Sequence, residues 1–248
     1  MGKQKRSLEK YCNLNKNPDS VNIADSEAAF EVIHQSILSL WDTVNHLTTI
    51  QPPRRERYRV TLFGSARIES DVPLYNGVRQ LASELTIMGC DIITGGGPGL
   101  MQAANEGSVM ADPDNITESI GIRVNLGLEQ DTNPFVEQVY LHRTFFSRLH
   151  HFVLVSDAFV VLPGGIGTAL EALMIWQLLQ VRKLQDTPFI MVGKMWSELA
   201  NWTKKYTIDS EPPMADPADL TIPTCVDTCE EAIALLRTAH EQWRSCQD

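Results

Sequence analysis

No apolar run in the 248 residues approaches the roughly 18 that a membrane-crossing helix requires, and there is no internal repeat or low-complexity segment. Positive charge is scarce: 21 Lys and Arg stand against 31 Asp and Glu, a net charge of −10. That deficit argues against general nucleic-acid binding, which needs a cationic surface. A small anion can still be held by a locally positive site. Cysteine is scarce too. Cys12, Cys90, Cys225, Cys229 and Cys246 are scattered and odd in number. The Cys225–Cys229 spacing has no second pair or nearby histidine to complete a zinc set, so no metal is expected. Free thiols in a reducing cytoplasm account for the cysteines best. The opening stretch MGKQKRSLEKYCNLNKNPDS is basic with no apolar core behind it. It is expected to be a flexible tail, not a secretory signal.

What is present is the composition of a soluble globular chain, long enough for one domain plus an extension. From Asp25-Ser26, Phe30, Ile33, Ile37, Trp41 and Val44 recur at three- and four-residue spacing, which predicts an amphipathic helix ending near Gln51-Pro52-Pro53. Its stripe must pack on the main domain or on a second subunit. Residues 1–57 are thus expected to form a tail and helical arm, and 58–248 a single domain.

Beyond the arm, strand and helix patterns alternate. Strands are predicted at Arg59–Phe63, Asp91–Thr94, Ser119–Val124, Ala158–Leu162 and Phe189–Val192. Helices are predicted at Tyr75–Met88, Leu100–Met110, Arg143–Val155, Thr168–Gln180, Trp196–Tyr206 and Cys229–Arg244. This alternation implies a Rossmann-like α/β fold: a mainly parallel sheet with helices on both faces, carrying ligand sites at the carboxyl ends of its strands.

Three loops share that edge: Phe63-Gly64-Ser65-Ala66-Arg67, Thr94-Gly95-Gly96-Gly97-Pro98-Gly99, and Leu162-Pro163-Gly164-Gly165-Ile166-Gly167-Thr168. Glycines let the main chain approach a ligand, and amides at a helix start attract phosphate. Two such loops on one edge exceed what tight turns alone require. Neither has the spacing of the dinucleotide fingerprint or the P-loop, and no lysine follows the third.

The strings FGSAR, GGGPGLM and PGGIGTALE resemble the Lonely Guy (LOG) family, often labelled "possible lysine decarboxylase", from about Arg59 to Val192. The resemblance implies hydrolysis of the N-glycosidic bond of a nucleoside 5′-monophosphate to free base and ribose 5-phosphate. Some relatives act on cytokinin nucleotides, others on AMP or GMP; they are usually homodimers and use no cofactor or metal. By the same resemblance Arg148 and Glu171 are catalytic. Gly164, Gly165, Gly167 and Thr168 form the phosphate loop, Gly96, Gly97 and Gly99 contact the nucleotide, and Ser65 matches the serine of the first loop. Relatives usually carry a lysine where Leu149 stands and an acid where Leu170 stands.

Each assignment has a rival. Thr168-Ala169-Leu170-Glu171 also spells a capping box, with Thr168 as N-cap. Arg148 borders the apolar stripe of Phe145, Leu149 and Phe152, where an arginine can snorkel to the surface. His150 and His151 read as packing or surface residues, and Asp131-Thr132-Asn133-Pro134 as a turn. The alternative function is a non-catalytic nucleotide or molybdenum-cofactor carrier. Pyridoxal-dependent decarboxylation is disfavoured, because no lysine lies in or beside the three loops to form a Schiff base.

Overall fold

A computed structural model describes residues 26–47, 56–125 and 131–246. The basic tail, Cys12, the Pro52-Pro53 connector and the side chains of Trp41 and Val44 lie outside the described residues. The chain falls into two compact units, residues 1–53 and 54–248. In the first, helix α1 (Ser26–Leu47) carries Glu27 in its first turn, with Phe30, Ile33 and Ile37 of the apolar stripe exposed.

The second unit is built on seven strands: β1 (Arg59–Phe63), β2 (Asp91–Thr94), β3 (Ser119–Val124), β4 (Gln138–His142), β5 (Ala158–Val161), β6 (Phe189–Val192) and β7 (Thr224–Val226). They lie in the order β4-β3-β2-β1-β5-β6-β7, and every pairing is parallel. The helices are α2 (Pro73–Ile87), α3 (Leu100–Ala111), α4 (Phe145–Val155), α5 (Ile166–Gln180), α6 (Lys194–Thr203) and α7 (Cys229–Ser245).

Strands β1, β2, β5 and β6 are buried almost throughout and largely apolar, because helices cover both their faces. Val60 and Leu62 point into one core with Val78, Leu81, Leu100 and Leu236, from α2, α3 and α7. Phe63 points into the other with Phe152, Ile175, Trp176 and Trp196, from α4, α5 and α6. Among the described residues, no helix is long and apolar enough to cross a membrane. Cys90, Cys225, Cys229 and Cys246 are free thiols.

The structure adds two strands that the pattern reading passed over. Strand β4 is an edge strand with Val139, Tyr140 and Leu141 exposed, so burial imposes no alternation on it. Strand β7 is three residues long. Helix α5 begins at Ile166, two residues before the predicted start at Thr168. Helix α4 begins at Phe145, where Thr144 caps it by accepting the Ser147 N–H at 3.1 Å. The helix expected at Trp196–Tyr206 is α6 followed by a π-helical turn, Lys204–Ile208. Strand order reverses between β1 and β5, which puts the switch-point crevice at the first and third glycine loops.

Candidate active site

Backbone bonds join the three loops. Ser65 N–H donates to Pro163 O at 3.1 Å, and Leu100 N–H donates to Ser65 O at 2.9 Å. The loops after β1, β5 and β2 are therefore one rigid piece. Gly99 stands at φ +70, and a side chain there would run into the Ser65 carbonyl and Ala66. Only glycine satisfies both constraints. The Ser65 hydroxyl accepts the Arg67 N–H at 3.1 Å, holding the first loop in a turn.

The third loop separates glycines that the fold needs from glycines that it does not. A side chain on Gly164 would collide with Thr168, which is buried against it. At Gly165 and Gly167 an added Cβ meets nothing within 4 Å. These two positions are open where α5 begins. Gly165 is the N-cap, with no side-chain capping bond, and its carbonyl accepts the Ala169 N–H at 3.0 Å. The amides of Ile166, Gly167 and Thr168 form the first turn, where an α-helix offers its N–H groups and the positive end of its dipole to an anion.

This start overturns the capping-box reading. Thr168 is the third helical residue, not the cap, and Glu171 lies too far into α5 to reach back to the helix start. Its partner is Arg148, at 3.1 Å between Oε1 and Nη1, with the two side chains only 11% and 13% exposed. Arg148 Nε donates to Ile122 O at 2.8 Å. The guanidinium lies 5.2 Å from the Phe152 ring centroid, and a side chain on Gly95 would strike it. The arginine is thus held inside and does not snorkel. Burial pushes the Glu171 carboxyl up to about 7 even with the guanidinium beside it. The same burial lowers the Arg148 pKa, against the pull of Glu171. A carboxyl poised near neutrality can exchange a proton at physiological pH.

Gly96 and Gly97 are buried on the neighbouring β2 loop. The side chain of Arg123, at the carboxyl end of β3, lies across Gly96 and donates to the Thr132 hydroxyl. Sequence reasoning passed over Gly95, Arg123 and the Ile122 carbonyl. Gly95 could have been flagged as the first residue of the triple-glycine run, but the other two carried no signal. The turn expected at Asp131–Pro134 lies two residues further on, from Asn133 to Val136: Asn133 O accepts the Val136 N–H at 3.3 Å and Asn133 Oδ1 accepts the Phe135 N–H at 3.1 Å. His151 packs as read, with Nδ1 2.8 Å from Nε2 of His142. Of the departures from the resembled pattern, Leu149 is buried and Leu170 is 48% exposed. A cavity of about 390 Å³, lined by Arg67, Tyr75 and Gln102 among others, opens on the α2/α3 side of the sheet. The Arg148–Glu171 pair belongs to the α4/α5 side.

Residues 101–236, more than half of the chain, match the family described as "Possible lysine decarboxylase". The chain belongs to this family. The match spans Arg148, the third loop and Glu171, in agreement with the LOG resemblance of PGGIGTALE. Over 140 residues the chain is 28% identical to the pyrimidine/purine nucleotide 5′-monophosphate nucleosidase of Escherichia coli K12. That stretch is 54% of this chain but 30% of the relative, so the chain corresponds to less than a third of that enzyme's length. The molybdenum cofactor carrier protein of Chlamydomonas reinhardtii has a similar structure, with a TM-score of 0.55 and 17% identity over 74% of this chain and 98% of that one. The molybdenum cofactor binding protein of Rippkaea orientalis gives 0.55 and 17% over 75% and 98%. At that identity the likeness concerns the fold.

Proposed function

We propose that this chain hydrolyses the N-glycosidic bond of a nucleoside 5′-monophosphate, giving free base and ribose 5-phosphate. The observation that carries the reading is a buried Arg148–Glu171 pair next to a helix start whose glycines leave open space. Glu171 follows Ile166 by five residues, about 7.5 Å along the axis at 1.5 Å per residue. A phosphate held by the first turn of α5 then leaves the pentose extended toward Glu171. Ser65, Gly96, Gly97 and Gly99 line the facing loops and complete the cradle.

As the C1′–N bond breaks, its electron pair leaves with the base, which takes up a proton from solvent, and C1′ gains oxocarbenium character. The Glu171 carboxylate stabilises that charge and takes the proton of the water whose oxygen bonds to C1′. Arg148, fixed by Ile122 O, keeps the carboxylate in place. Phosphate binding far from the reacting atom positions the sugar. Residues 58–248 form the catalytic domain in this reading, working in the cytoplasm. A second copy covers α5, which exposes Ile166, Leu170 and Leu173 at helical spacing; an exposed apolar stripe of that kind calls for burial.

The test is to incubate the purified protein with a panel of purine, pyrimidine and cytokinin monophosphates and follow base release by chromatography. Release from none of them sinks the proposal. The rival reading, a nucleotide or molybdenum-cofactor carrier, draws on Leu149, Leu170 and the structural likeness. It expects tight binding without release in the same experiment.

A further inference from the structure

We infer that Asn133 is a positioning residue for the nucleotide, acting through the glycine loop after β2. The turn that holds it lies in the β3–β4 connection, yet Asn133 itself is buried and reaches 36 residues back along the chain. Its side-chain Nδ2 donates to Gly97 O at 2.9 Å and to Asn105 Oδ1 at 3.0 Å. Its backbone N–H donates to Gly96 O at 3.0 Å. Asn105 is held in turn by the Thr94 hydroxyl at 2.7 Å and donates to Ser119 Oγ at 2.9 Å. Thr94 Oγ1 also accepts the Gly96 N–H at 2.9 Å. Thr94, Asn105 and Ser119 are all fully buried. A buried network with every member satisfied costs much to disturb, so it holds the loop in one conformation.

The consequence lies in the peptide between Gly96 and Gly97. In a trans peptide the C=O and N–H point in opposite directions. Asn133 draws the Gly96 carbonyl toward the β3–β4 side, so the Gly97 N–H points away from it. Gly97 is buried, and its N–H meets no acceptor among the described residues. Buried backbone donors are almost always paired. The geometry assigns this one to an oxygen of the bound nucleotide. The inference rests on the nucleoside monophosphate reading, which already sets Gly97 against the nucleotide, and adds the residue that fixes that contact.

Asn133→Asp keeps an oxygen for the Phe135 N–H but removes the donor to Gly97 O. Asn133→Ser, whose hydroxyl sits on a stem too short to reach Gly97 O, breaks the same bond without a buried charge, should the aspartate variant not fold. Hydrogen exchange of residues 94–101 is expected to accelerate at least tenfold while exchange in the central strands β1 and β5 changes less than threefold. KM for AMP should rise at least tenfold while kcat changes less than threefold, the pattern of a lost contact made equally in ground and transition states. Unchanged exchange in the loop, or a loosened loop with an unchanged KM, overturns the inference. A wild-type protein that releases no base sinks the nucleosidase reading instead. Loop exchange, with calorimetric AMP affinity in place of KM, then decides the role of Asn133 by itself.

Discussion

Glu171 on α5 and Arg148 on α4 meet at 3.1 Å, with neither side chain more than 13% exposed. An ion pair in that position contributes little net stability, because both charges have lost their water. Chemistry is the better reason for it. Glu171→Gln keeps an oxygen to accept from Arg148 but removes the charge that C1′ requires in the transition state. Base release from AMP should fall by at least a thousandfold while AMP affinity stays within about threefold, since only transition-state stabilisation is lost. Wild-type turnover in this variant would reduce Glu171 to a structural partner of Arg148.

Arg148→Lys tests the geometry of the pair, not its charge. The guanidinium serves Glu171 through Nη1 and Ile122 O through Nε at once, which a single ammonium on a flexible stem cannot reproduce. A loss of at least a hundredfold in kcat is expected, with retention of fold checked by circular dichroism. Lysine working as well as arginine would show that charge alone suffices.

The raised Glu171 pKa sets the acid limb of the rate. A reacting carboxylate must be ionised, so activity should be lost as pH falls through about 7, well above the range of an ordinary glutamate near 4.3. The profile should be taken from kcat/KM, which reports groups of the free enzyme, with the separately titrated ionisation of the AMP phosphate divided out. A limb near pH 4 would mean that the carboxyl whose ionisation limits the rate is not the buried Glu171.

How much of this was visible in the sequence depended on where burial acts. Strands β1, β2, β5 and β6 were legible because both faces are covered and each gives an apolar run. Strand β4 lies at the sheet edge with exposed side chains and has no such signature. The string from Thr168 to Glu171 fits a capping box and a catalytic site equally well. Only the helix start at Ile166 removes the first, because it moves Glu171 out of the first turn. Arg148 was ambiguous for a related reason: a neighbouring apolar stripe does not say whether the guanidinium points in or out. The turn at Asn133 could be read from its own residue types. Its bond to Gly97 could not, since no local pattern reports a contact between loops 36 residues apart.

The last test separates glycines that serve the fold from those that serve a ligand. Gly165 sits at φ −90 and ψ −158, an extended conformation open to any residue, and a Cβ added there meets nothing within 4 Å. Gly165→Val should therefore fold with a nearly unchanged melting temperature, yet cover the amides of the first turn of α5. Gly164→Val, which must displace the buried Thr168, should lose stability and activity together. If the open amides hold a 5′-phosphate, each charge-assisted bond lost costs about 1.5–3 kcal/mol. A hundredfold fall in kcat/KM, about 2.7 kcal/mol, is then the minimum expected of Gly165→Val acting on AMP. Adenosine offers the complementary deletion, since it removes the phosphate and leaves the protein intact. It should trail AMP by at least the same factor with the wild type and lose little more with Gly165→Val, because the two changes remove the same contact. Equal rates for adenosine and AMP would show that the start of α5 reads no phosphate, and the monophosphate assignment would go with it.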